Sequence, residues 1–531
     1  MIEQQSVPSH EHTVCRNPAT GEILGHSSLT TVDELKKIIE NARIAQKSWA
    51  DLAIGERVRY MNNVRDYIEE NAEEIAEVIS KDNGKTRVDA ISTEVLPGAM
   101  AVNYYAKKAK KFLKERQITP GNILFFYKRS KIIRIPYGVI GVISPWNYPF
   151  SIPFYEIVMG LLAGNAVVLK AASETQMVGR KLEECFLKAN LPEGLFNYVN
   201  IPGRLAGSAF LKNGIDKLFF TGSVEVAKNL MREAGETLTP LVFELGGNDA
   251  MLVCEDADIH RAVTGAIWGG LSNCGQSCSG VERIYVHENI YEQFMNILKE
   301  KVEALRVGND QDFNVDLGFM TTQRQVSTVK RHLEDALAKG ATIFARSSQP
   351  EGNGSGNILP AYVLTDVHHG MLVMLEETFG PILGVMKVKD MDEAVALAND
   401  SNLGLSGSVW SKNRKYAEKL ARQIEAGAIM INDHLMNHGM AETPLCGFKM
   451  SGIGCSHGAI GFDEMTQPRV IINDIMPFVR QNMWWHPHGK KIFQGVSGAI
   501  KFLYAKSFIQ RLNGLKALLK IIPRFFLPNS K

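Results

Sequence analysis

The stretch "GVIGVISPWNYPF", residues 138–150, decides the fold. Its first half is a short β-branched run, and its second half holds Pro, Trp and Asn, with Pro and Asn of the kind that end strands and open turns. The same rhythm recurs in "NAVVLK" (165–170), "KLFFTG" (217–222), "AMLVC" (250–254) and "RIYVH" (283–287), each followed by a helix-like stretch. Alternation of this kind predicts βαβ units, hence an α/β protein with parallel sheets. Upstream, "TVDELKKIIENARIAQKSW" and "ERVRYMNNVRDYIEENAEEIAEVI" repeat apolar residues at three and four. In the second, Val58, Met61, Val64, Ile68, Ile75 and Ile79 share one stripe, which predicts surface helices over a core. Residues 345–358, "ARSSQPEGNGSGNI", read as a loop, and no internal repeat is found.

Composition excludes several classes. The chain has 531 residues, 45% hydrophobic and 22% charged, which suits two or three globular domains and no disordered protein. Its seven cysteines are few, odd in number and irregularly spaced, so no disulfide framework is expected. The N-terminal "MIEQQSVPSHEHTVCRNPAT" lacks a basic segment followed by an apolar one. Free thiols in a reducing, cytoplasmic setting follow as the expectation. Charge is uneven: after Asp474 there are ten Lys or Arg and no Asp or Glu, which leaves 49 basic and 57 acidic groups in the first 474 residues. An acidic body therefore carries a basic tail, and nothing points to nucleic acid.

In parallel sheets, chemistry collects where strands end and helices begin. Four such segments stand out: "SPWNYPF" (144–150), "VVLKAASET" (167–175), "FFTGSVEVA" (219–227) and "VFELGGNDA" (242–250), the last delivering Glu244 into a glycine pair. Each alone is ordinary turn punctuation. Beyond them lies "GQSCSG" (275–280), where Cys278 is open to several readings: nucleophile, metal ligand, half of a disulfide or packed thiol. No partner set of Cys or His stands at zinc-ligand spacing around it, so no metal is expected.

As a set, "PWNYP", "FTGS", "ELGG", "GQSC", "EETFGP" (376–381) and "GFKMSGIG" (447–454) resemble the aldehyde dehydrogenase superfamily from about residue 14 to 470, nearest its succinate-semialdehyde and broad-aldehyde branch. The resemblance implies two Rossmann-type parallel-sheet domains plus a small bridging β arm. The expected boundaries are 14–246 for cofactor binding with 118–136 in the arm, 247–448 for catalysis, 449–474 for bridging and 475–531 for the tail. It also implies a homodimer or homotetramer.

The implied catalytic residues make chemical sense. An aldehyde releases hydride only after a nucleophile has made its carbon tetrahedral, and Cys278 matches that nucleophile. Asn147 matches a donor to the developing oxyanion, and Glu244 matches the base that activates water against the resulting thioester. Burial between an apolar strand and Gly246–Gly247 should raise the Glu244 pKa. For the cofactor, NAD or NADP, the resemblance implies Trp146, Lys170, Ser173, Gly222, Ser223, Glu377 and Phe379. Ser173 stands where a Glu would favour NAD, with Glu174 displaced by one, so NADP is admissible.

For the substrate, members acting on succinate semialdehyde hold its carboxylate with arginines, where this chain has Tyr155 and Ser272. Phe150, Phe154, Tyr155 and Trp268 instead suggest an apolar entrance, and so an apolar aldehyde. Succinate semialdehyde is the second reading. A CoA-acylating enzyme or a non-catalytic, membrane-associated scaffold is the alternative of another class, and the presence of Cys278, Glu244 and Asn147 together argues against both. The tail's charges recur too often for a membrane span, while its aromatic residues and lysines suit an amphipathic helix on an anionic surface or one packed on the protein.

Overall fold

The computed structural model describes residues 12–348 and 356–526. Residues 1–11, 349–355 and 527–531 lie outside the described residues, and with them most of the polar N-terminal stretch, half of the 345–358 loop and the tail's last residues. The chain divides into two compact units, one of residues up to 114 and 134–467, the other of 115–133 and 468–531.

The larger unit holds two mainly parallel sheets. One has six strands in the order Gly452–Ile453, Leu241–Glu244, Lys217–Thr221, Val139–Ile143, Ala166–Lys170 and Phe196–Val199, antiparallel only at Gly452–Ile453. Val139–Ile143, Ala166–Lys170 and Lys217–Thr221 are buried at every residue, because helices cover both faces of a parallel sheet. The other has seven strands, ordered Thr342–Arg346, Tyr362–Thr365, Ile382–Val388, Val281–His287, Asp249–Val253, Ser406–Trp410 and Ala428–Ile431, with Thr342–Arg346 antiparallel. The α/β fold read from the strand rhythm is therefore the observed one.

Local signals explain the helices. Thr31 and Glu34 form a reciprocal capping box that opens Val32–Asp51. The stripe read as one helix over 56–79 is two, Ile54–Glu70 and Ala72–Asn83, broken at Asn71, and Met61, Val64, Ile68, Ile75 and Ile79 are buried as expected. Ser151–Ala163 is buried at every position. That corrects the reading of Phe150 and Phe154 as an entrance: both are core residues, their rings stacked 5.3 Å apart, because a helix buried all round offers no solvent face.

The expectation of free thiols is also corrected. Cys446 and Cys455 form a disulfide, while Cys15, Cys185, Cys254, Cys274 and Cys278 are free. Main-chain bonds in both directions between Leu445 and Ser456 bring the two cysteines together, a pairing that spacing alone does not reveal.

The smaller unit contains most of a three-stranded sheet, Thr466–Asp474, Lys128–Pro136 and Arg116–Ile118, and the tail. The tail is two helices, Lys490–Tyr504 and Phe508–Leu519, rather than a single one, separated by Ala505–Ser507. Among the described residues, no helix is long and apolar enough to cross a membrane.

Candidate active site

Cys278 sits between helix Ile259–Leu271 and strand Val281–His287. The chain reaches it through three successive left-handed residues, Asn273, Cys274 and Gly275, with φ of 51°, 55° and 72°. Two of these are not glycine, at a cost of roughly 1–2 kcal/mol each. Side chains hold the turn: Asp89 accepts from Ser272 Oγ at 3.1 Å and from Asn273 N at 3.3 Å, and Gln276 Oε1 accepts from Thr321 N at 3.0 Å. Cys278 as a residue is of intermediate exposure, whereas Cys274 is buried.

Glu244 ends strand Leu241–Glu244 beside this turn. Burial pushes its carboxyl up to about 7, against the pull of a hydrogen bond that Oε1 accepts from Ser456 Oγ. The raised value is the one expected from its setting. Cys278 is pushed up to about 12, first by burial and then by the negative charges of Glu377 and Glu244. Both carboxyls lie within electrostatic reach of the sulfur. The glycine pair makes the approach feasible: a Cβ on Gly247 would stand 2.2 Å from Cys278 O, and one on Gly246 would stand 2.2 Å from Glu377 Oε2.

Asn147 is fixed on the other side. Its carbonyl accepts from Lys85 Nζ at 2.8 Å and from Asn273 Nδ2 at 2.9 Å, and its own Nδ2 donates to Gln276 O at 3.2 Å. An amide nitrogen carries two hydrogens, so one is left for a developing oxyanion. Lys85 is fully buried against Glu94 at 2.5 Å, and Glu94 Oε2 accepts from Phe150 N at 2.7 Å. This pair clamps both ends of the Asn147 turn. Glu94 lies in a π-helical segment, Ile91–Val95, a local widening that often marks functional sites.

Of the expected cofactor residues, Trp146, Lys170, Ser173, Gly222 and Ser223 lie at or just past strand ends on the carboxyl edge of the six-stranded sheet, where Ile143 aligns with Lys170 and with Phe220. Glu377 and Phe379 precede strand Ile382–Val388 of the other sheet. Lys170 is buried at its strand end, and burial lowers its pKa despite the pull of Glu174. Ser173 lies three residues on, half-buried. Gly222 precedes Ser223, which caps Val224–Thr237, and the first N–H groups of such a helix favour anions. A buried cation and a capped helix start on one strand edge fit a dinucleotide's ribose and phosphates. Glu377 Oε1 accepts from Gly247 N at 3.0 Å. Phe379, at φ 51°, faces the Trp146 ring edge-on at 5.5 Å, and Glu282 secures that turn by accepting from Thr378 N at 3.0 Å and Phe379 N at 2.8 Å.

Sequence reading named Tyr155 but missed the rest of the wall beside Asn147. Tyr148, Tyr155, His438 and His457 cluster there, with Tyr155 and His457 ring centres 4.3 Å apart and Tyr148 and His438 5.3 Å apart. His438 Nε2 pairs with Ser151 Oγ at 3.1 Å. Burial lowers His438 to about 4 and His457 to about 3, so both rings are neutral at physiological pH. Among the described residues, the Tyr155 hydroxyl and His457 Nδ1 find no hydrogen-bond partner. Trp268, alone of the four expected entrance residues, is exposed. No pattern flags the histidines, but Glu282 was visible as a lone carboxylate in the apolar run "VERIYV".

Parallel sheets whose strand ends fit a dinucleotide, with a cysteine and a carboxyl of raised pKa nearby, suit an α/β oxidoreductase. Comparison with known proteins narrows it. The aldehyde dehydrogenase family model matches residues 6–471, and the chain belongs to that family. It is 37% identical over 496 residues to a "4,4'-diapolycopene aldehyde oxidase" from Methylomonas sp., covering 93% of this chain and 92% of the relative. A "Putative succinate-semialdehyde dehydrogenase [NADP(+)] 2" from Mycobacterium ulcerans is 35% identical, covering 85% of this chain and 86% of the relative. Among solved structures, an "NAD+ complex structure of aldehyde dehydrogenase from bacillus cereus" is similar with a TM-score of 0.83 and 30% identity, over 87% of this chain and 93% of that one.

Proposed function

We propose that this aldehyde dehydrogenase oxidises apolar aldehydes to carboxylic acids through a thiohemiacetal and then a thioester on Cys278. The observation that carries the reading is the close packing of the Cys278 backbone and the Glu377 carboxyl on the glycine pair that follows Glu244, beside an Asn147 amide with one N–H to spare. With the thiol raised to about 12, it rests protonated, and Glu244, raised to about 7, is the nearby base whose charge it feels. Glu244 takes the thiol proton and passes it to solvent as sulfur attacks the aldehyde carbon, and the new oxyanion is met by Asn147 Nδ2. A bound dinucleotide supplies the hydride acceptor; Lys170, Ser173, Gly222 and Ser223 would hold its adenosine and phosphate end, and Glu377, Phe379 and Trp146 its other end. Glu244 then takes a proton from water as it attacks the thioester, and the acid leaves as the thiol is regained. The part built on strands 139–244 is the cofactor-binding half in this reading, and that on strands 249–431 the catalytic half.

The apolar substrate is supported by the neutral wall: Tyr148, Tyr155, His438 and His457 offer no cation to a distal carboxylate, and Lys85 is already spent on Glu94. The relative named for diapolycopene aldehyde supports the same class. Succinate semialdehyde, named for other relatives, is the second reading. NAD and NADP are both compatible with Ser173. The reading includes a cytoplasmic homodimer or homotetramer, supported by the exposed Val470, Ile471 and Ile472 of the arm strand, and association with a membrane surface through the tail. Reduced nicotinamide, followed with each cofactor and a series of aldehydes, tests it: rates should rise with apolar chain length and exceed those with succinate semialdehyde, and the reverse order overturns the substrate class.

A further inference from the structure

The two tail helices form a hairpin whose inner faces are small residues. A Cβ on Gly498 would stand 2.6 Å from Gly514 O, and one on Gly514 would stand 2.5 Å from Gly498 O, so the backbones touch where any larger residue would separate them. Gly495, Gly498, Ala499, Gly514 and Leu518 are buried by this contact. Their burial leaves the large apolar residues outside. Along the first helix Phe493, Val496, Ile500 and Tyr504 recur at three, four and four, and three of them are strongly exposed, at 77%, 59% and 70% for Phe493, Ile500 and Tyr504. Phe508 and Ile509, at 78% and 69%, open the second helix, and Leu512 and Leu519 continue its exposed face. An ordinary soluble surface does not carry a stripe of this kind uncovered.

Charge identifies what covers it. Every ionic side chain after Asp474 is Lys or Arg. Arg524 is spent inside, donating to the carbonyls of Met483, Trp485 and Pro487 at 3.1, 2.8 and 2.8 Å. Lys490, Lys491, Lys501, Lys506, Arg511, Lys516 and Lys520 are exposed or near the surface. A symmetric pairing of this hairpin with its own copy would bring like charges together, which disfavours that cover. An anionic lipid surface satisfies both features, taking the aromatic and aliphatic side chains among its acyl chains and the lysines among its headgroups.

We propose that the hairpin 490–519 lies in the plane of an anionic lipid leaflet, Phe493, Ile500, Tyr504, Phe508 and Ile509 inserted and its lysines at the headgroups. The purpose, bringing the enzyme to aldehydes dissolved in lipid, rests on the proposed substrate class; the binding itself does not. The test is cosedimentation of the full chain with vesicles of phosphatidylserine and phosphatidylcholine, and with phosphatidylcholine alone, at low and high salt. A Phe493→Ser/Ile500→Ser/Phe508→Ser variant, which alters only exposed positions, is run beside it, with oxidation of a short water-soluble aldehyde as the check on folding. The full chain should sediment with anionic vesicles and be released at least in part by salt, and the variant should bind at least roughly tenfold more weakly at unchanged soluble activity. No binding by the full chain, equal binding by the variant, or a variant that binds unchanged but falls to a smaller oligomer overturns the proposal. A full chain that binds but oxidises no apolar aldehyde would sink the substrate reading and leave the anchor standing.

Discussion

Ser456 Oγ donates to Glu244 Oε1, and Ser456 directly follows Cys455, which a disulfide ties to Cys446. Glu244, the proposed base, is thus held by a residue three positions past strand Gly452–Ile453, which pairs with Phe243–Glu244.

Removing that donor should make Glu244 a stronger base that ionises later. The bond favours the charged form, and burial, the larger influence, then acts unopposed. A hydrogen bond to a charged group contributes about 1.5–3 kcal/mol, so the acid limb of the kcat/KM profile in Ser456→Ala should move up by about one to two pH units. An unmoved limb would separate Ser456 from the base.

The resting thiol gives a second prediction. With a folded pKa of about 12, the thiolate fraction is small at neutral pH and grows with each unit below that value. Alkylation of Cys278 by iodoacetamide in the cofactor-free enzyme should accelerate about tenfold per pH unit from 7 to 10. Peptide mapping reads it, and a rate that levels off below pH 8 contradicts the buried, anion-flanked setting.

Lys85 and Glu94 stabilise the site only as a pair. Lys85→Met strands a buried carboxylate and should cost about 3–5 kcal/mol. Lys85→Met/Glu94→Gln should lose less than the single variant does, in denaturant unfolding of the full chain. Both should lower kcat, since the Asn147 carbonyl loses its Lys85 donor.

Much of this was legible in the chain. The strand ends at or near Asn147, Lys170, Ser223 and Glu244 follow from short apolar runs, three of them stopped by Pro or Gly, which is local information. Met61, Val64 and Ile68 were legible for the same reason, a stripe on one helix. What was illegible is non-local. Phe150 and Phe154 read as an entrance because their types suit one, but only tertiary packing tells a core ring from a pocket ring. Ser456, Glu94 and the histidines gain their roles from partners dozens to hundreds of residues away. Cys446 and Cys455 look like two stray thiols until the strand turn between them is known.

In the proposed reading, cofactor preference is set by the position three beyond Lys170. Ser173→Glu would put a carboxylate beside that lysine's end of the strand, where a 2′-phosphate is repelled at a cost of about 1–3 kcal/mol. The ratio of kcat/KM with NAD to that with NADP should rise roughly five- to hundredfold. An unchanged ratio places the adenosine ribose elsewhere.

The central claim, that Cys278 carries the acyl group and Glu244 releases it, is tested by intact-protein mass spectrometry of Glu244→Gln after one turnover with cofactor and an apolar aldehyde. The account predicts an adduct of acyl mass on Cys278, absent in Cys278→Ala, together with a slow steady-state rate after a fast first turnover. A Glu244→Gln enzyme that carries no adduct and turns over at the full rate would contradict it.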